Sequence, residues 1–257
     1  MSENLKIALI QSHLHWENPE ANRTSFSDKI AQVSEDVDLI VLPEMFTTGF
    51  TMNPESINET EGPKTLHWMQ DLAKEKDVAI TGSTVFQEKG KNYNRLFFIF
   101  PNGQYKTYDK KHTFILAGEH KVYEAGTNKL IVDFKGFKIC PLICYDLRFP
   151  VWARNTEDYD ILLYVANWPK PRVNAWDALL KARAIENMSY CIGVNRVGLD
   201  GVGHEYVGHS SVYDILGEQL VYSEKEEILY ETLSKEHIMA NRNKLKFLED
   251  RDSFNLL

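Results

Sequence analysis

The sequence contains few cysteines, and their number and spacing limit what can hold the chain together. Among its 257 residues only Cys140, Cys144 and Cys191 carry thiols, and an odd number argues against a disulfide framework. If Cys140 and Cys144 share one strand, they lie about 13 Å apart at roughly 3.3 Å per residue, which is beyond disulfide reach. Neither a CxxC nor an HExxH motif occurs, so a metal site is not predicted.

Long apolar runs and blocks of positive charge are also missing. The apolar run near the N-terminus, Leu5–Ile10, is too short for the core of a signal peptide, and no later run approaches the length of a membrane span. The longest Lys/Arg block is the pair Lys110-Lys111, and the net charge is −8, which argues against a nucleic-acid surface. We therefore expect a cytoplasmic protein with neither a nucleic-acid nor a membrane partner.

No linker or low-complexity tract divides the chain. Segments typical of strands alternate with helical segments from end to end, without a Pro/Gly/Ser-rich stretch between them. Hydrophobic residues make up 43% of the composition, as in globular proteins. We therefore predict an α/β protein with a single domain over residues 1–257, ending in a charged helix near 234–248 and a short tail.

One cysteine follows a segment that has the pattern of a buried strand. The residues from Lys138 to Ile143 are mostly apolar, partly β-branched and bounded by Gly136. Tyr145 would then begin a turn, and a strand-to-turn junction lifts a side chain out of a sheet, as in the nucleophile elbow of other hydrolases. Taken alone, Cys144 is better explained as a structural thiol, because free cysteine is among the most buried residue types.

Two charged residues occupy comparable positions. Glu44 follows the apolar segment Leu39–Leu42 directly after Pro43, where loss of hydration suits a carboxylate to proton transfer. Lys110 lies in Tyr108-Asp-Lys-Lys-His, and in isolation it is explained equally well by an exposed strand end. Together the three positions place a carboxylate, an ammonium group and a thiol at the ends of separate strands, in that order along the chain.

This combination resembles the nitrilase, or carbon–nitrogen hydrolase, superfamily. The resemblance places the catalytic glutamate, lysine and cysteine of that family at Glu44, Lys110 and Cys144, and its second glutamate, which positions lysine and substrate, at Glu119. It covers essentially the whole chain, including the segments 181–187 and 208–210. The segments 144–150 and 166–169 are most similar to those of ω-amidases, which hydrolyse the side-chain amide of 2-oxo dicarboxylic acid monoamides.

The resemblance also implies an architecture and partners. It implies a four-layer α-β-β-α sandwich that usually forms a homodimer, with the C-terminal helix and tail, about residues 234–257, at the dimer interface. The implied partner is a small-molecule amide substrate, and neither a cofactor nor a metal is implied. Periodicity alone predicts only that strands and helices alternate.

The family mechanism, carried onto these residues, is thioester chemistry. Lys110 and a backbone N–H just after Cys144 would hold the amide oxygen, and the nearby cation would favour the thiolate of Cys144. Glu44 would take the thiol proton and return it to the leaving nitrogen as ammonia. Water activated by Glu44 would then release the acid.

Substrate recognition is predicted in a loop rich in proline and positive charge. Trp168-Pro-Lys-Pro-Arg172 follows a predicted strand, where α/β folds place specificity residues. Arg172 is the candidate partner of a substrate carboxylate, because its planar fork donates two hydrogen bonds; Trp168 would form a wall of the pocket and Lys170 is the second choice. Tyr145 and Phe46 complete the candidate substrate-binding set.

Three alternatives stay open at this point. Of the two histidines in motif segments, His112 and His209, the second could instead pair with Cys144, as in a Cys-His acyltransferase or protease. The substrate could be a deaminated peptide amide or a carbamoyl compound, or the chain could be a non-catalytic relative that binds without reacting. Asp146 and Arg148 are expected to form an ion pair that fixes the turn after Cys144.

Overall fold

The computed structural model describes residues 4–255. Leu256 and Leu257, the last residues of the predicted interface segment, lie outside the described residues. Within the described part, the five α-helices are α1 (Pro19–Ala31), α2 (Glu61–Lys76), α3 (Pro150–Ala153), α4 (Val173–Asn187) and α5 (Lys235–Leu245). The strands are β1 (Asn4–Gln11), β2 (Leu39–Val41), β3 (Ala79–Glu88), β4 (Lys91–Ile99), β5 (Tyr105–Asp109), β6 (Val132–Phe134), β7 (Phe137–Ile143), β8 (Ile161–Val165), β9 (Tyr190–Val194), β10 (Val197–Leu199), β11 (Glu205–Val207), β12 (Ser210–Tyr213), β13 (Gln219–Ser223) and β14 (Glu227–Ser234).

The strands form two six-stranded sheets and a small ribbon. The first sheet has the order β14-β1-β2-β3-β4-β5, in which β1, β2 and β3 are parallel. The second has the order β13-β12-β9-β8-β7-β6, in which β7, β8 and β9 are parallel. Strands β10 and β11 pair with each other as an antiparallel ribbon.

Alternation along the strands shows how the layers stack. In β4, Leu96 and Phe98 belong to the core shared with the second sheet, whereas Phe97 and Ile99 belong to the core formed with α1 and α2. Successive side chains of a strand point to opposite faces of a sheet. The ring of Phe98 lies 5.8 Å from that of Phe134 in β6, so the two sheets pack face to face.

The second sheet carries helix α4 on its other face. Trp176 and Leu180 of α4 are fully buried against it. A Cβ atom on Gly193 of β9 would lie only 2.4 Å from Leu180 and 2.6 Å from Trp176, so this helix can approach the sheet closely because β9 has glycine there. The predicted four-layer α-β-β-α sandwich is therefore confirmed.

Three local predictions differ from the structure. The strand predicted before Glu44 is reduced to the short β2, and the charged C-terminal helix ends at Leu245 instead of near 248. Lys110 directly follows β5, but its side chain is buried, so it is not an exposed strand end. No helix among residues 4–255 is both long enough and apolar enough to cross a bilayer.

Candidate active site

Side chains from the ends of three strands meet at one end of the sandwich. Glu44 follows β2, Lys110 follows β5 and Cys144 follows β7. Lys110 Nζ lies 2.9 Å from Glu44 Oε1, and Lys110 and Cys144 line one cavity. The structure therefore brings the three residues predicted as catalytic together from both sheets.

Cys144 occupies a sharp turn. It is the first residue of a 3-10 helix, Cys144–Arg148, and its φ of 44° lies in the left-handed region that residues with a side chain rarely adopt. This turn is the predicted strand-to-turn junction. Its thiol lies 3.9 Å from the carbonyl oxygen of Asn167 and lines the cavity, whereas Cys140 and Cys191 are free thiols with no exposed surface.

Lys110 is surrounded by carboxylate oxygens. Its Nζ donates to Glu44 Oε1 at 2.9 Å and to both oxygens of Glu119 at 2.9 and 3.0 Å, and all three side chains are almost completely buried. Burial lowers the pKa of Lys110, but the charges of Glu119 and Glu44 raise it by more, so that the net pKa is above its ordinary value. Lys110 is therefore a fixed positive charge.

The two glutamates are held by further donors. Glu44 accepts hydrogen bonds from Asn94 Nδ2 at 2.8 Å and from the backbone N–H of Asn167 at 2.8 Å. Glu119 accepts from the backbone N–H of Phe114 and from Asn94 Nδ2. Burial, and then the charge of Glu44, raise the pKa of Glu119 despite the opposing effect of Lys110. The site therefore holds two carboxylates against one ammonium group.

The surroundings of Cys144 favour its neutral thiol. Burial, followed by the charge of Glu44, raises its pKa well above the ordinary value, and the opposing effect of Lys110 is smaller. Lys110 favours the thiolate, as expected, but burial and the charge of Glu44 outweigh its effect. The thiol contacts the carbonyl oxygen of Asn167 and Glu44 accepts from the backbone N–H of the same residue, so the carboxylate and the thiol meet at Asn167.

A cavity of about 350 Å³ opens above Cys144 and Lys110. Trp168, Arg172 and Tyr145, which were predicted to bind substrate, line this cavity. Phe46 does not, and this prediction is corrected: its fully buried ring packs against Phe26 and Trp68 in the core below α1 and α2. Met45, at φ 41°, reverses the chain after Glu44 and turns Phe46 away.

Two arginines lie along the cavity wall. The guanidinium carbon of Arg172 lies 5.1 Å from the ring centre of Phe114, and that of Arg148 lies 4.9 Å from the ring centre of Trp168. Neither guanidinium group forms an ion pair with any residue between 4 and 255. Lys170, the second choice for the carboxylate, instead pairs with Glu205 at the surface.

The sequence did not indicate that Arg148 lines the cavity, because Arg148 was expected to form an ion pair with Asp146. Asp146 is fully buried and accepts hydrogen bonds from Tyr108 Oη at 2.7 Å, from the backbone N–H of His112 at 2.9 Å and from the backbone N–H of Ile143 at 3.1 Å. It thus ties the Lys110 segment to the Cys144 turn, and leaves Arg148 free to reach the cavity.

Sequence reasoning also missed two asparagines and a hairpin. Asn94 lies inside β4, where asparagine is disfavoured, and this was the available signal. Asn167 lies in the segment 166–169 that resembles the ω-amidases, but neither there nor in the ribbon β10–β11 does the sequence show which segments become neighbours. In the ribbon, buried Asp200 accepts from Tyr206 Oη at 2.9 Å and from the backbone N–H of His204 at 2.9 Å, which holds both residues at the cavity.

The structure gives the Cys-His alternative no geometric support. His209 Nδ1 lies 2.9 Å from Asp177 Oδ2 and its ring contacts Tyr222, and His112 stacks on Phe149 with ring centres 3.6 Å apart. Neither histidine lines the cavity. Across residues 4–255, no group of three or more His, Cys, Asp or Glu side chains is arranged to hold a metal ion.

Known proteins are similar to this chain in sequence and in fold. The carbon–nitrogen hydrolase family profile matches residues 6–242. An omega-amidase YafV of Yersinia enterocolitica is 43% identical over 257 aligned residues, covering 98% of this chain and 99% of that protein. A 2-oxoglutaramate amidase of Bacillus subtilis is 34% identical over 226 residues, covering 86% and 87%.

A solved structure gives the same picture. It is a CN-hydrolase superfamily protein of Xanthomonas campestris with an arsenic adduct in its active site, and it superposes with a TM-score of 0.95 at 39% identity, covering 98% of this chain and 99% of that one. The profile match, the full-length relatives and this superposition agree with the geometry around Cys144. The chain belongs to the carbon–nitrogen hydrolase family.

Proposed function

We propose that this protein hydrolyses the side-chain amide of small 2-oxo dicarboxylic acid monoamides, such as 2-oxoglutaramate and 2-oxosuccinamate, to the acid and ammonia. The observation that carries the proposal is the cavity itself. Its floor combines Cys144 with Lys110, and its wall carries the guanidinium groups of Arg148 and Arg172. The similarity to an omega-amidase and a 2-oxoglutaramate amidase supports this choice of substrate.

The first half of the reaction transfers the acyl group to sulfur. Glu44 accepts the thiol proton of Cys144 as the sulfur attacks the amide carbon, so that no thiolate has to persist in the buried site. Negative charge develops on the amide oxygen, where Lys110 and the backbone N–H of Tyr145 stabilise it. Glu44 then passes the proton to the nitrogen, the C–N bond breaks and ammonia leaves.

The second half returns the enzyme to its resting state. Water attacks the thioester while Glu44 takes one of its protons, the C–S bond breaks, and that proton returns to the sulfur of Cys144. Glu119 does not exchange protons in this scheme. It holds Lys110 through two contacts of 2.9 and 3.0 Å, so that the cation stays in place through both halves.

The carboxylate of the substrate would be recognised by Arg172, with Arg148 as a second cation. A guanidinium group over an aromatic ring keeps its N–H donors available for a planar anion. The aromatic and apolar walls of the cavity suit the short carbon chain between the amide and the carboxylate. A volume of about 350 Å³ fits a substrate of this size.

The test is ammonia release from a panel of small amides. We expect turnover of 2-oxoglutaramate and 2-oxosuccinamate, and much slower turnover of pentanamide, which has similar length but no carboxylate. Comparable rates on pentanamide would favour another amidase of the family. If no amide in the panel reacts and a thiol-reactive probe labels Cys144 no faster than Cys140 and Cys191, the chain is a non-catalytic relative.

A cytoplasmic homodimer with a single domain over residues 1–257 completes the proposal. Three free cysteines suit a reducing compartment. In the C-terminal segment, Met239, Phe247 and Phe254 expose 54%, 57% and 39% of their surface, which supports an interface there. Light scattering of the full chain and of a Met239→Glu, Phe247→Glu variant tests it. A monomeric wild-type protein would contradict the dimer.

A further inference from the structure

A neutral side chain lies between the two glutamates of the site. Asn94 of β4 is almost fully buried, and its Nδ2 donates to Glu44 Oε1 at 2.8 Å and to Glu119 Oε1 at 3.3 Å. It neither lines the cavity nor contacts the thiol, so substrate does not explain its presence. Its two N–H groups meet both carboxylates at once.

The orientation of this amide is fixed by a directional chain. The backbone N–H of Met45 donates to Ser83 Oγ at 2.9 Å. The Ser83 hydroxyl in turn contacts Asn94 Oδ1 at 2.8 Å, and because Oδ1 can only accept, the hydroxyl proton must point to it. The nitrogen of Asn94 therefore has to face the glutamates, and the chain begins at the residue next to Glu44.

The charges around the two glutamates explain why such donors are needed. Lys110 is the positive group beside them. The pKa of the Cys144 thiol is raised by burial and then by the charge of Glu44, and that of Tyr123 by burial and then by the charge of Glu119. Two buried carboxylates close together disfavour the ionised form of one another, whereas each N–H donor favours it. Burial, and then the charge of Glu44, raise the pKa of Glu119 against the opposing effect of Lys110, and Asn94 donates to both carboxylates.

We propose that Asn94 is a positioning residue that keeps Glu44 and Glu119 ionised together, and that it thereby sets the lower pH limit of activity. The inference rests on the proposed function, in which Glu44 must be a carboxylate to accept the thiol proton. Without the two N–H donors of Asn94, the two glutamates bind a proton at a higher pH than in the wild type. The fraction of enzyme with a competent base therefore falls at a higher pH.

The test is the pH profile of kcat/KM, which reports groups of the free enzyme. In Asn94→Leu, which keeps the branched heavy-atom skeleton and removes the donors, we expect the acidic limb to move to higher pH by about one unit, with the loss recovered largely at alkaline pH. Ser83→Ala removes only the hydroxyl that orients the amide of Asn94. The acidic limb of this variant should also move to higher pH, by less than that of Asn94→Leu.

The control is Thr81→Val, which removes another buried hydrogen bond of β3, from Thr81 Oγ1 to the Phe97 carbonyl, away from the site. Its acidic limb should match that of the wild type. An Asn94→Leu enzyme whose activity falls equally at every pH overturns the inference and assigns Asn94 a purely structural role. If Asn94→Leu does not fold, an unshifted limb in Ser83→Ala overturns it instead. Absence of ammonia release from the wild type would contradict the proposed function itself, and the inference with it.

Discussion

The floor and the wall of the cavity are built in opposite ways. Lys110 on the floor and the two glutamates beneath it, Glu44 and Glu119, are at most 1% exposed, and their charged groups contact one another within the fold. On the wall, Arg148 is exposed and Arg172 half-buried, and neither has an acidic partner among residues 4–255. The reacting groups are thus organised before substrate arrives, whereas the binding groups keep their donors free for it. Substitutions on the floor should change the rate for every substrate, and those on the wall should change selectivity.

The largest effect is expected at the nucleophile. Cys144→Ala should abolish amide hydrolysis, because no thioester can form, whereas Cys140→Ala and Cys191→Ala should retain most activity. Mass spectrometry after limited alkylation should find Cys144 modified first, since it alone of the three lines the cavity. Full activity in Cys144→Ala would overturn the assignment of the whole floor.

The next effect concerns the fixed cation. Lys110→Ala should lower kcat/KM by about 10²-fold or more on charged and neutral amides alike, by analogy with loss of one oxyanion donor. It should also destabilise the fold, because two buried carboxylates lose their counter-charge. Steady-state kinetics and chemical denaturation measure both.

Lys111→Ala is the matched control for this substitution. Lys111 is partly exposed and its Nζ lies over the ring of Trp152, 5.4 Å from its centre. A crippled Lys111→Ala beside an active Lys110→Ala would show that the wrong lysine was assigned.

On the wall, a smaller and selective effect is expected. Arg172→Met should weaken kcat/KM for 2-oxoglutaramate by roughly 1.5 to 3 kcal/mol while sparing pentanamide, because a charge-assisted pair to the carboxylate is lost. Arg148→Met, made in parallel, shows how the two cations share the task. Equal losses on both substrates would mean that Arg172 supports the loop and that the carboxylate is bound elsewhere.

The smallest effect is expected at Asp146, which connects the Cys144 turn to the Lys110 segment. Asp146→Asn replaces an acceptor of several hydrogen bonds and should let the Cys144 turn shift against the Lys110 segment, lowering kcat by about tenfold with little change in KM. Asn155→Ala is the control, since buried Asn155 makes comparable contacts with Tyr159 and Asn187 outside the cavity. If the two variants lose similar amounts of kcat and of stability, Asp146 contributes only to folding.

The same division decides what could be predicted from sequence. Glu44, Lys110 and Cys144 were predictable only in combination, because their motifs resemble a known family in this order along the chain, whereas no single motif was sufficient. The partner of Asp146 was not, since Tyr108 and His112 reach it only once β5 and β7 come together from different sheets. Phe46 failed for a local reason, the chain reversal at Met45, which nothing in the apolar pattern announces. Periodicity likewise predicts strands and helices but not that two sheets stack.

The backbone of Cys144 has a consequence for how this protein could be made more robust. A residue with a side chain at φ 44° is held in a conformation that costs about 1 to 2 kcal/mol and that glycine adopts freely. Selection for thermal tolerance alone would therefore drive this position towards glycine and extinguish the chemistry. Attempts to stabilise the fold by replacing residues in unfavourable backbone conformations have to leave Cys144 unchanged. Its unfavourable φ presents the sulfur to the substrate.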